Sequence, residues 1–87
     1  MTSFAQKISV SRECQNIYLV QGGKDSTGRD TWFFIRVDSL KTNLFKQKIK
    51  TGSLDLQDFG EILESGYGEE PPEYIFANME KQYGFKL

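Results

Sequence analysis

The side chains able to do chemistry in this chain are defined first by what is missing, since its 87 residues include no histidine and one cysteine, Cys14. A Ser-His-Asp or Cys-His arrangement needs an imidazole to accept the nucleophile's proton, so neither can be assembled. Zinc needs four Cys or His ligands, or three with an open position, which excludes a structural zinc. A reactive thiol needs an electropositive setting. Only Arg12 hints at one here, and Cys14 reads as a small buried or incidental thiol.

Carboxylates are plentiful between Asp55 and Glu73. Acid/base catalysis requires two of them in a concave pocket with separated proton affinities. Asp58, Glu61 and Glu64 instead fall on the polar side of a helical pattern, where carboxylates are solvated. Glu69 and Glu70 lack the alternating oxygen ligands of a twelve-residue calcium loop. The run Gly22-Gly23-Lys24-Asp25-Ser26 imitates a phosphate-binding loop, but Asp25 separates the lysine from the serine and a strand follows instead of a helix. Gly66-x-Gly68 lacks the third glycine and the preceding strand of a dinucleotide fingerprint. No catalytic residue, cofactor or metal is expected.

What remains is chemistry of contact. Residues 1–53 carry nine Lys/Arg against four Asp/Glu, and residues 54–87 carry two against eight. Such a split makes a basic and an acidic surface, or two halves that satisfy each other. On the basic side, Lys24, Arg29, Lys46 and Lys50, with Arg36, Lys41 and Lys48, adjoin the aromatic run Trp32-Phe33-Phe34. Aromatics flanked by cations can stack the bases of a single strand. Strand aromatics in so small a domain more often form core, and the acidic last helix would repel phosphate. On the acidic side, Ser65 to Pro72 brackets Tyr67 with glycines, follows it with Glu69 and Glu70, and ends on two prolines. That segment presents a rigid aromatic anchor of the kind that dominates binding interfaces.

The elements that must position these residues are legible from periodicity. Gln6 to Ser11 alternates as a strand. Ile17–Gln21 and Thr31–Val37 are β-branched and aromatic runs joined by a glycine-rich stretch, which reads as a hairpin. In the second run Trp32, Phe34 and Arg36 face one way and Phe33, Ile35 and Val37 the other, so one face should meet helices and the other needs a cover. Asp38 or Ser39 caps a helix from Leu40 to Lys50 with Leu40, Leu44, Phe45 and Ile49 as its stripe. Asp55 caps a second helix, stapled by Leu54 and Phe59, whose apolar face is Leu56, Phe59, Ile62 and Leu63. Pro71-Pro72 opens a third, buried through Ile75, Phe76, Met79 and Tyr83, with Gly84 as its stop and Phe85 folding back.

The expected fold is one α+β domain over residues 1–87: a small antiparallel sheet of two or three strands around the hairpin, followed by three helices on one face, with residues 1–5 disordered. No internal disulfide can form, the first residues lack a signal-peptide pattern, and the longest apolar run, Trp32 to Ile35, is far too short to span a bilayer. The expected location is the cytoplasm. The expected function is a noncatalytic protein-interaction or regulatory module, with another copy of itself among the candidate partners. Its partner-facing residues would be Trp32, Phe34 and Arg36 on the sheet or Tyr67, Glu69 and Glu70 at the corner. The alternative is a single-stranded nucleic-acid binder using Lys24, Arg29, Lys46 and Lys50, and the third reading is a small-ligand domain or enzyme.

Overall fold

The computed structural model describes residues 8–24, 26–50 and 59–86. Four strands form one antiparallel sheet in the order β1-β2-β3-β4: β1 is Ser9–Cys14, β2 Ile17–Lys24, β3 Asp30–Val37 and β4 Gly60–Tyr67. A 3-10 turn at Ser39–Lys41 leads into α1, Thr42–Lys50, between β3 and β4, and α2, Glu73–Tyr83, follows β4.

The two inner strands explain the layers. Ile17, Tyr18, Leu19 and Val20 are all buried, as are Trp32, Phe34, Ile35 and Val37. Side chains alternate between faces along a strand, so consecutive buried residues require cover on both sides. Tyr18, Val20, Ile35 and Val37 pack with Phe45 and Ile49 of α1, with Ile8 and with Phe59. Ile17, Leu19, Trp32 and Phe34 pack with Ile75 and Met79 of α2 and with Phe85. The sheet is the middle layer of three.

The expected sheet of two or three strands with three helices on one face is therefore corrected. Four strands are present, only two α-helices occur among the described residues, and they lie on opposite faces. The difference comes from residues 55–64. Their three- and four-residue spacing suits a helix, yet the described part, from Gly60 onward, is strand β4. Short apolar runs do not distinguish the two by periodicity. Here tertiary demand decides. β2 pairs with one edge of β3 and leaves the backbone groups of its other edge without partners, and β4 supplies them. A bulge between the Phe34 and Ile35 positions makes Leu63 the extra residue and puts Ile62 and Glu64 on opposite faces, with Ile62 opposite Ile35, Glu64 opposite Phe34 and Leu63 packed in the α2 cluster. The expected cap at Asp55, the apolar position Leu56 and the expected disorder of residues 1–5 lie outside the described residues.

Helix termini follow local chemistry. The Asp38 carboxylate accepts the Leu40 backbone N–H at 3.0 Å at the entry to the first helical segment. Phe45 and Ile49 of the expected stripe are buried, whereas Leu40 and Leu44 are exposed. Pro72 precedes α2 in an extended conformation. At its end Gly84 takes φ 70°, its N–H donates to Glu80 O, and the Phe85 N–H donates to Met79 O. The left-handed glycine with its N–H on Glu80 O is the αL form of helix stop, and it turns Phe85 into the core, with its ring centroid 5.3 Å from that of Phe34. The hairpin is longer than its composition suggests, because β2 runs through Gly22 and Gly23 with an irregularity there and ends only at Lys24, and β3 begins at Asp30.

Candidate functional site

The two faces of the sheet are not covered equally. On the α2 face, Phe34 stacks edge-on against Trp32, Phe76 and Phe85, with centroids 5.3 to 6.0 Å apart. Edge-to-face pairs add to the free energy of burial. On the other face α1 covers Ile35 and Val37, but Ile62, opposite Ile35 on the edge strand, is 38 % exposed, and further toward the hairpin tip Phe33 is only partly buried and Tyr67 is 61 % exposed. With Thr31 and Ser65 these residues line a groove of about 290 Å³, and Trp32 and Gly66 lie along its floor.

The groove is built by strand register. Residues directly opposite in an antiparallel pair share a face. Thr31 lies opposite Tyr67, Phe33 opposite Ser65 and Ile35 opposite Ile62, which collects Thr31, Phe33, Ile62, Ser65 and Tyr67 on the α1 face. Trp32 lies opposite Gly66 on the α2 face, and the absence of a side chain there is required: a Cβ on Gly66 would sit 2.5 Å from Trp32 Cζ2. The indole crosses β4 at this point and donates from Nε1 to Tyr67 O at 3.3 Å. Arg29 from the hairpin tip places its guanidinium carbon 4.2 Å from the centroid of the Tyr67 ring. This cation–π contact holds the ring at the groove's end, with a strength of about 0.5–1 kcal/mol at an exposed position.

The opposite face of β4 is acidic. Glu61 lies opposite Arg36 and bonds it at 3.1 Å, and Glu64 lies opposite Phe34. Both members of the Arg36–Glu61 pair are largely exposed, so the pair adds little to stability. Beyond β4, Glu69 and Glu70 are exposed in the connection to α2, where Glu69 O accepts a hydrogen bond from Gln21 Nε2.

The residues singled out in the sequence are dispersed by the fold. Trp32 and Phe34 are 3 % and 0 % exposed under α2 and form core. Arg36 is exposed on the same strand and has Glu61 and the Tyr83 ring as neighbours. Tyr67, Glu69 and Glu70 are exposed as a strand end and its following loop, and the corner is strand-to-helix instead of helix-to-helix. Of the basic residues, Lys24 pairs with Asp30 and Arg29 covers Tyr67, both near the hairpin tip. Lys46 and Lys50 lie elsewhere, lining a shallow groove of about 250 Å³ between α1 and β1 with Val10, Glu13, Tyr18 and Ile49. Cys14 is a half-buried free thiol whose Sγ lies 3.6 Å from Gly84 O. Among the described residues no group of three or more Cys, Asp or Glu side chains is arranged to hold a metal ion, and no helix is long and apolar enough to cross a membrane.

Phe33, Ile62 and Ser65 were missed as surface residues. No pattern in the sequence finds them, because Glu64-Ser65-Gly66-Tyr67 does not alternate apolar with polar residues and the bulge at Leu63 breaks the period of the strand. Comparisons with protein families, with curated proteins and with solved structures return no match for this chain.

Proposed function

We propose that this chain is a noncatalytic protein-interaction module that receives its partner along β3 and β4. The observation that carries this reading is the contrast between faces. One face is covered by α2, and the other leaves Phe33, Ile62 and Tyr67 around one groove, with Ser65 and Thr31 between them, on and beside the edge strand. Exposed apolar surface beside an unpaired edge is a feature that interaction domains use and that isolated domains suppress. A cytoplasmic setting belongs to the same proposal and is supported by the unpaired thiol of Cys14.

Nucleic acid is the weaker reading. The aromatics that would stack bases, Trp32 and Phe34, are interior, and the Lys46–Lys50 pair is separate from the Lys24–Arg29 pair. The test is a nuclease-treated capture from the source organism's lysate with the native chain and with Ile62→Lys, which places a charge in the groove without touching the α2 face. A stoichiometric protein that is retained by the native chain after nuclease and lost by Ile62→Lys is the expected outcome. Recovery of nucleic acid, or a partner indifferent to Ile62→Lys, would overturn the reading.

A further inference from the structure

We infer that the β4 edge accepts a short extended segment of a partner protein in which apolar residues alternate with lysine or arginine. The inference rests on the reading of β3 and β4 as a docking surface and assigns the chemistry of what docks there.

The hydrogen-bonding phase of β4 gives the backbone part. The Gly68 N–H donates to Asp30 O at 2.9 Å, so the pair just beyond Thr31 and Tyr67 is a hydrogen-bonded one. Antiparallel pairs alternate between bonded and non-bonded. Thr31–Tyr67 and Phe33–Ser65 are then non-bonded pairs, and the N–H and C=O groups of Tyr67 and Ser65 point away from β3. Trp32 Nε1 already satisfies the Tyr67 carbonyl. The Ser65 N–H, the Ser65 C=O and the Tyr67 N–H are left for an added strand, and no described backbone group pairs with them. Strand addition at an open edge uses groups of this kind for affinity and alternate side chains for specificity.

The side-chain part follows from the same alternation. An added strand presents every second residue to the groove, where Phe33, Ile62 and Tyr67 favour an apolar group and Arg29 over Tyr67 disfavours a cation. Its remaining residues fall on the α2 side of the sheet, beside Glu64 and Glu61, with Glu69 and Glu70 just beyond. A cation there is complementary. A second copy of the chain fits worse, because pairing β4 with itself would set this acidic row against its own copy. The bulge at Leu63 further limits the straight part of the edge to Glu64–Tyr67, which suits a short segment and obstructs long edge-to-edge association.

The test is a titration of the uniformly ¹⁵N-labelled full chain with a synthetic acetylated Lys-Val-Lys-Val-Lys-Val amide, with a Glu-Val peptide of the same length as control. Binding of the Lys-Val peptide alone, with amide exchange at Ser65 and Tyr67 slowed about tenfold or more, is expected. Ser65→Pro, which deletes one edge donor, should abolish that binding, and Glu64→Gln should weaken it severalfold while leaving the amide spectrum dispersed. Protection absent at Ser65 and Tyr67, equal binding of the Glu-Val peptide, or insensitivity of a folded Glu64→Gln variant would each overturn the inference. If the Lys-Val peptide fails while Ile62→Lys still releases a captured protein, the partner chemistry is wrong and the docking reading stands. If the capture is also insensitive, both fall.

Discussion

Phe33 and Phe34 are neighbours on one strand, yet they live in different environments. Phe34 points to the α2 side, is fully buried and meets three aromatic rings, whereas Phe33 points to the α1 side and lies only partly buried at the margin of that cluster. The cause is a difference in the helices. Each helix buries two residues of its own, Phe45 and Ile49 in α1 and Ile75 and Met79 in α2, but α2 has 11 residues against nine, is anchored at its end by the Gly84 closure and brings Phe85 back over the sheet. Among the described residues, the shorter cover leaves the tip-ward part of its face open. Both faces carry a buried cluster, and what differs is the open part of the α1 face, where Phe33, Ile62 and Tyr67 keep exposed surface that a partner could hold.

Alanine substitution of the two phenylalanines gives the largest expected contrast. Phe34→Ala removes a ring from a closed cluster, leaves a cavity and should cost about 3–5 kcal/mol. Phe33→Ala takes a partly exposed ring from an open margin and should cost about 1 kcal/mol, near the centre of the range for single substitutions. Urea unfolding of both variants checks this, and equal losses would mean that the α1 face is sealed as well. The Phe34 variant consumes a large part of the stability available to a domain of this size, so its midpoint is best read beside that of the milder Phe34→Leu.

Gly66→Ala comes next because it acts on the seam between the faces. The new methyl would meet Trp32 Cζ2 at 2.5 Å, and the indole is 3 % exposed, so it has little room to withdraw. Displacing it also removes the bond from Nε1 to Tyr67 O. A cost of about 1–3 kcal/mol is expected from this overpacking, together with a changed tryptophan emission spectrum. An unchanged spectrum would show that Trp32 does not cross β4 at this glycine.

How far the sequence carried these features depends on whether the determinant was local. The opening of α2 at Pro71-Pro72, its stop at Gly84, the return of Phe85 and the Asp38 cap were all legible, because each is decided within a few residues by φ preferences and capping bonds. The two-faced pattern of residues 31–37 was legible too, and it already required cover on both sides. What could not be read was which segment would complete the sheet. Phe59, Ile62 and Leu63 satisfy a helical stripe as well as a bulged strand, and the choice is made by the unpaired edge of β3, a tertiary fact. That single misassignment carried two others with it. Once β4 is placed in the sheet, α2 can occupy the face that buries Trp32 and Phe34, and the candidate surface moves from those residues to Phe33, Ile62 and Ser65. Tyr67 kept its exposure through the change, since a strand end and a helix corner both leave it at the border of an element.

The smallest expected effect gives the finest comparison, because Ile35 and Ile62 are directly opposite each other on β3 and β4 and point to the same face. Ile35 is fully buried beneath α1, and Ile62 is 38 % exposed in the groove. The same deletion of one methyl group in each, Ile35→Val and Ile62→Val, holds strand propensity nearly constant, so the difference between them isolates burial. The buried site should lose about 0.5–1.5 kcal/mol. The groove site should lose only about 0.5 kcal/mol or less, as expected where the methyl remains partly in water. The combined variant should show a departure from additivity, since the two side chains are in register and neighbouring sites couple. A loss at Ile62 as large as that at Ile35 would mean that the groove is filled in solution, either by residues 51–58 of this chain or by a second molecule. Concentration dependence of the unfolding midpoint separates these, because an intramolecular cover gives none and an intermolecular one raises the midpoint with protein concentration.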